Sequence, residues 1–290
     1  MKPPPFEYHR PESLEEALSL LAETGDEGRV LAGGQSLMPM LALRLAQPAQ
    51  LIDVNRISEL TGISANGGLR VGAMVRQRAA ERSADVAERC PLLAEALSFV
   101  GHVPIRNRGT VGGSVAHADS AAELPTVMRV LDAELVVRST RGERTIAAAD
   151  FFRSHFMTAL EPDELLVEIN IPPWPVGAGW AFEEVSRRHG DFAIAGTAAL
   201  VRVDDDGKVA EARLAFSGVG PTPVRPSGAE AALAGAVLSD EALRAAGEEA
   251  AAGLEPPEDL HGTTAYRRHL VKLLTRRTIQ AAAARAGSTS

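Results

Sequence analysis

Two glycine pairs hold the residues of this chain whose types and spacing could do chemistry. The first lies in Ala32-Gly33-Gly34-Gln35-Ser36-Leu37, at the end of the strand-like run Arg29–Ala32 and followed by the largely apolar stretch Met38–Leu45. The second lies in Thr110-Val111-Gly112-Gly113-Ser114, with Arg106 and Arg108 just upstream. Glycine lets the backbone come close to an anion, and free N–H groups at the opening of a helix point at it. Two such segments, with the hydroxyls of Ser36, Thr110 and Ser114, suit the two phosphates of a diphosphate. Spacing alone leaves this open, because a Gly-Gly after a strand is ordinarily a turn. Neither segment matches the Gly-x-Gly-x-x-Gly dinucleotide fingerprint, and no Gly-Lys-Ser/Thr phosphate loop occurs. A Rossmann site and nucleoside triphosphate hydrolysis are therefore not expected.

The elements that must position these segments are readable around them. Ser13, Glu15 and Glu16 before an Ala17/Leu18/Leu20/Leu21 pattern predict a capped helix. Short strands are expected at 29–32 and 51–54, and Asn66-Gly67-Gly68 predicts a hairpin between 60–64 and 69–73. Helices follow at Pro91–Phe99 and Ala121–Leu131, then a hairpin of Glu134–Arg138 and Arg144–Ile146 around Arg141-Gly142. A long strand, Leu165–Ile171, stops at Pro172-Pro173-Trp174-Pro175, a cluster that cannot continue a sheet. Beyond it, three strands (180–186, 193–203, 208–217) precede three helices (228–236, 239–254, 266–284). The order is mixed α+β in both halves. A length of 290 residues fits about two domains. They are expected at 1–176, itself split near residue 56, and at 177–290, a smaller domain of antiparallel sheet plus helices.

Composition narrows the function classes. Thirty Lys and Arg against 38 Asp and Glu give a net charge of −8, the wrong sign for a general nucleic-acid binder. The single cysteine, Cys90, permits no intrachain disulfide, which suits a reducing cytoplasm. Nor can it house an iron–sulfur cluster, which takes several thiolates. Any such centre must sit on another chain. No apolar run approaches a membrane span of about 20 residues, so a soluble protein is expected. His102 and His117 lack neighbouring metal-ligating partners and are expected to stabilise loops, not to hold a metal. The cluster Arg267-Arg268-His269 with Arg276-Arg277 is expected on a solvated helix face or at a subunit contact.

The first glycine segment, together with Arg106-Asn107-Arg108-Gly109-Thr110-Val111-Gly112-Gly113-Ser114-Val115-Ala116-His117-Ala118-Asp119-Ser120-Ala121-Ala122-Glu123-Leu124-Pro125, resembles the FAD-binding subunit of molybdenum hydroxylases. This is the medium subunit of the aerobic carbon monoxide dehydrogenase type, related to the flavin domain of xanthine dehydrogenase. The resemblance runs from Glu12–Leu18 to Tyr266-Arg267-Arg268-His269-Leu270, nearly the whole chain. It implies that Ala32, Gly33, Gly34, Gln35, Ser36 and Leu37, with Thr110, Val111, Gly112, Gly113 and Ser114, hold the FAD diphosphate through backbone N–H groups and hydroxyls. It implies a nucleotide contact at Glu123, an apolar contact at Val100 and a backbone contact of Leu166 with the flavin ring. Glu183 falls where xanthine dehydrogenase relatives carry lysine, and Phe192 where some relatives place a tyrosine near the ring.

The resemblance also implies partners. A large molybdenum–pterin subunit oxidises the substrate, and a small subunit with [2Fe–2S] clusters relays electrons to FAD, which passes them to an external acceptor. A cytoplasmic dimer of heterotrimers is the expected assembly, with no acid–base catalytic residue on this chain. A stand-alone flavin oxidoreductase of the same fold is the alternative, and a partner-binding protein whose glycine segments are mere turns is a third reading.

Overall fold

A computed structural model describes residues 2–287. The chain opens with β1 (Glu7–His9), α1 (Leu14–Thr24), β2 (Gly28–Leu31), α2 (Leu37–Ala42) and β3 (Gln50–Asp53). The three strands form a parallel sheet in the order β1-β3-β2. α1 starts as the sequence predicts, with Ser13 Oγ accepting the Glu16 N–H and acidic residues in the first turn. It buries Leu14, Ala17, Leu18 and Leu21. The short edge strand β1, which follows three consecutive prolines, was not anticipated.

A second sheet follows. β4 (Ile63–Ser64) and β5 (Leu69–Gly72) form the predicted hairpin, turned at Gly67 with φ 70°. Six helices come next: α3 (Gln77–Glu81), α4 (Ala84–Arg89), α5 (Pro91–Phe99), α6 (Val103–Arg108), α7 (Val111–His117) and α8 (Glu123–Val130). The chain then returns through β6 (Glu134–Ser139), β7 (Gly142–Ala147), the single turn α9 (Ala148–Phe151), the ribbon β8 (Phe152–Ser154) and β9 (Met157–Thr158), and β10 (Leu165–Ile171). The strand order is β4-β5-β10-β6-β7.

Beyond the proline cluster, β11 (Gly179–Ser186), β12 (Ala193–Val203) and β13 (Val209–Ser217) form an antiparallel meander. The chain ends in α10 (Ser227–Leu233), α11 (Asp240–Ala251) and α12 (Thr264–Arg285). Because successive strand residues point to opposite faces, the meander has two buried surfaces. Ala181, Ala195, Ala199, Val201, Leu214 and Phe216 pack under α10, α11 and α12. Phe182, Ala198, Leu200 and Ala215 join instead the large core built on α5, α8 and the second sheet. Phe99 and Phe182 meet across that junction with ring centroids 5.1 Å apart.

One expectation for α12 needs correction. Arg267 is not on a solvated face: it is 3% exposed, donating to the Ile194 and Gly218 carbonyls and paired with Asp259. In the first turn of α12 the guanidinium satisfies the carbonyls where β12 begins and just beyond the end of β13.

Candidate cofactor site

The fold brings the two glycine segments into direct contact. A Cβ added at Gly33 would lie 2.4 Å from the Arg108 carbonyl oxygen and 2.7 Å from Gly109 Cα. One added at Gly113 would lie 3.3 Å from the Ala32 Cβ. Glycine is therefore required at 33 for close approach and at 34 for a turn with φ 71°. Beyond that turn the backbone N–H groups of residues 33–37 donate to no acceptor among the described residues. Ser36 precedes α2 without capping it through its side chain, and the Gln35 amide donates to the Gly33 carbonyl at 2.9 Å. Five consecutive unengaged donors in a glycine bend are the chemistry of an anion cradle.

The second segment is built differently from the expected loop. Thr110 caps α7, its Oγ1 accepting the Gly113 N–H at 3.0 Å. The N–H groups of Val111 and Gly112 donate to the carbonyls of Val75 and Ala73, both at 2.9 Å. Ser114 N–H donates to the Thr110 carbonyl at 3.2 Å, inside the helix. The free amides expected at 111–114 are thus corrected to engaged ones, because this stretch is tied into the second sheet. What it can still offer a ligand are hydroxyls and the close approach that Gly113 allows. Arg106 is also not a free cation: it is 6% exposed, paired with Glu81 at 2.8 Å and donating to the Val100 carbonyl at 2.8 Å. Val100 is 8% exposed and serves as that acceptor at the end of α5.

Glu123, the first residue of α8, is 5% exposed. Burial pushes its carboxyl up to about 7, and the nearby charge of Asp119 pushes the same way. It therefore meets a ligand near neutrality as donor and acceptor alike. Leu166 is buried in β10, opposite Val137 of β6. β5 pairs with β10 only from Glu168 onward, so on that side of Leu165–Val167 no strand is paired. Phe192 is 58% exposed. Its loop is held to the start of α6 by Gly190, whose added Cβ would lie 2.7 Å from the His102 ring. α6 has six residues, so about 9 Å of helix separates that loop from Gly109.

Glu183 lies away from the other expected site residues. It sits on the meander face under the terminal helices, where its carboxylate pairs with Arg277 at 2.9 Å. Its neighbour Glu184 takes the opposite face, toward the N-terminal half. Strand alternation accounts for the difference, since Phe182 points inward and position 184, not 183, shares its face. Burial, reinforced by Glu123, pushes the Glu184 carboxyl up to about 8. Glu184 Oε2 and Ser217 Oγ are buried without a hydrogen-bond partner among the described residues, and they flank Gly196 in register. Orphaned buried polar atoms are rare and call for a partner; here they lie on the side of the meander that faces α8.

Cys90 is fully buried and its thiol is pushed up to about 12. Among the described residues no group of three or more His, Cys, Asp or Glu could hold a metal ion. No described helix is long and apolar enough to cross a membrane.

Comparison with known proteins agrees with this geometry. Residues 4–174 match the model of the FAD binding domain in molybdopterin dehydrogenase, and residues 180–282 that of the CO dehydrogenase flavoprotein C-terminal domain. The chain is 43% identical to the 6-hydroxypseudooxynicotine dehydrogenase complex subunit alpha of Paenarthrobacter nicotinovorans, over 100% of this chain and 98% of that one. It is 41% identical to the carbon monoxide dehydrogenase medium chain of Hydrogenophaga pseudoflava, over 98% and 99% of the two chains. The solved carbon monoxide dehydrogenase of Hydrogenophaga pseudoflava superposes with a TM-score of 0.96, covering 99% of this chain and 100% of that one at 43% identity.

Proposed function

From the premise that the chain belongs to the FAD-binding medium subunits of the molybdenum hydroxylases, we propose that it is the electron-transfer subunit of such a complex. In this reading it receives electrons from a small [2Fe–2S] subunit, beside a large molybdenum–pterin subunit that oxidises the substrate. The assembly is a cytoplasmic dimer of heterotrimers. The observation that carries the cofactor assignment is the cradle of five unengaged amides at 33–37, pressed against the Arg108-Gly109 backbone. FAD, when bound, would supply the redox chemistry. This chain supplies placement.

The residues divide that task. The amides of 33–37 meet the diphosphate, with the hydroxyls of Thr110 and Ser114 on its other side; Val111 and Gly112 hold α7 to the second sheet beneath it. Glu123 meets the nucleotide end. Val100 gives an apolar contact to the cofactor, the Leu166 backbone and Phe192 border the flavin ring, and Glu184 takes the place first assigned to Glu183. The domain boundary belongs at 176/177, in the proline-rich connection. With one buried cysteine the chain has no ligand set for a cluster, which supports placing the clusters on a partner.

Substrate choice is not expected to reside here. The chain is 43% and 41% identical to relatives from complexes named for a nicotine derivative and for carbon monoxide. The test is to tag the chain, isolate it from its native cells, and measure FAD, iron and molybdenum against each polypeptide. The expected result is one FAD on this chain, with iron and molybdenum on two co-purifying chains. Candidate substrates then bleach the flavin only in the complex. A lone yellow chain that oxidises a substrate unaided would overturn the proposal in favour of a stand-alone oxidoreductase.

A further inference from the structure

We infer that Asn55 and Arg76 are positioning residues, which together form a strut that sets the separation of the two glycine segments and so decides whether one diphosphate reaches both. The inference rests on reading those segments as the FAD site. Asn55 Nδ2 donates to the Ala32 carbonyl at 2.8 Å and to Asp53 Oδ1 at 2.5 Å. Asn55 Oδ1 accepts from Arg76 Nη2 at 2.7 Å, and Arg76 Nη1 donates to the Arg108 carbonyl at 2.5 Å. The two carbonyls at the ends of this chain are those of the residues just before Gly33 and Gly109. One path of three hydrogen bonds, braced at Asn55 by the bond to Asp53, therefore joins the backbones that lead into both segments.

Donor and acceptor chemistry fixes the path in one sense. A guanidinium only donates, and carbonyls and carboxylates only accept. The Asn55 amide must therefore present oxygen to Arg76 and nitrogen to Ala32 and Asp53. Both ends are anchored. Asp53 closes β3 and accepts the Tyr8 hydroxyl, while Arg76 precedes α3, bridges Thr110 through its backbone and is followed by Gln77, whose N–H donates to the Gly109 carbonyl at 2.9 Å. A cleft of about 200 Å³, lined in part by Thr61, Ile63 and Met74, runs beside the pair. Packing does not hold the strut on that side, so its alignment depends on the hydrogen bonds. The contact at Gly33 stops the segments from closing further; the strut stops them from parting. With both Nη atoms of Arg76 engaged, it acts through the loops and not on phosphate.

The test uses the full chain with its flavin removed, titrated with FAD by quenching of flavin fluorescence. Asn55→Asp is isosteric and keeps the partner of Arg76, but turns an oxygen toward the Ala32 carbonyl and Asp53. Arg76→Lys keeps the charge and reaches one acceptor. Each is expected to raise the FAD Kd about ten-fold or more, roughly the effect of 1.4 kcal/mol. The double variant is expected to bind within about three-fold of the weaker single one, because both cut the same path. The thermal midpoint of the flavin-free chain stays within about 2 °C, a readout that separates spacing from folding. Multiplying losses in the double variant, single-variant affinities within two-fold of the natural chain, or FAD loss that tracks a lowered midpoint would each overturn the strut. If Asn55→Asp does not fold, Asn55→Ser replaces it in the same cycle. A natural chain that takes up no FAD would instead sink the cofactor reading, and the strut with it.

Discussion

Replacing Gly33 by alanine tests the site at its tightest point. The new methyl would lie 2.4 Å from the Arg108 carbonyl oxygen, 2.7 Å from Gly109 Cα and 3.0 Å from the Arg108 carbonyl carbon. All three are backbone atoms, and they have little freedom to move: the Gly109 carbonyl accepts the Gln77 N–H at 2.9 Å and the Gly109 N–H donates to Ile105 at 2.7 Å. Restoring ordinary van der Waals contact needs a displacement of about 1 Å. The loop 33–37, with its amides unengaged, is the part that gives way. A donor moved about 1 Å from a bond of normal length no longer makes that bond. Each such bond to a charged group is worth about 1.5–3 kcal/mol. Losing one or two raises the FAD Kd by about ten-fold to about twenty-thousand-fold. Gly62→Ala is the matched control, since nothing lies within 4 Å of its added Cβ and its φ is not in the left-handed region. Fluorescence titration of the flavin-free variants decides the matter. If Gly33→Ala binds FAD within two-fold of the Gly62→Ala protein, the contact between the segments does not shape the site and the reasoning fails.

Three further outcomes are expected. Because the Glu123 carboxyl titrates at about 7 when folded and near 4.5 when unfolded, the folded chain holds a proton that the unfolded chain releases; stability falls as pH rises through that window and then levels. Glu123→Gln removes this fall, worth up to about 3 kcal/mol by pH 8, and urea unfolding of the flavin-free proteins at pH 5 and pH 8 checks it; an identical difference at both pH values refutes it. Cys90, buried with its thiol near 12, is expected to resist a thiol reagent at pH 8 until denaturant is added, and rapid native labelling would contradict its burial. Glu183→Gln loses the pairing with Arg277 yet leaves the FAD Kd within two-fold; a ten-fold change would return Glu183 to the flavin side.

Much of this arrangement was legible because local chemistry and final structure agree. Ser13, Ser239 and Thr263 each cap the helix that follows, as Ser/Thr caps do. The alternation of β11 to β13 and the turn at Asn66-Gly67 are likewise local signals. The glycine pairs pointed to a ligand for sound reasons, but the engagement of Val111 and Gly112 by Val75 and Ala73 is a tertiary fact with no trace in spacing. α3 and α4 were missed because stretches such as Gln77-Arg78-Ala79-Ala80-Glu81 present no apolar stripe; their helicity comes from packing on α5. Asn55 and Arg76 carry no motif at all. Their partners are carbonyls, which every residue has, so only the fold singles them out.

The meander's inner surface has a consequence for anyone who would dissect this chain. Cutting at the proline cluster would leave Phe99 and its neighbours on α5 and α8 facing water, and would strip Phe182, Ala198 and Leu200 of their cover. Two fragments with raw, matching hydrophobic wounds would result, each prone to cling to the other or to itself. The two halves are therefore expected to keep their fold only within one uncut polypeptide.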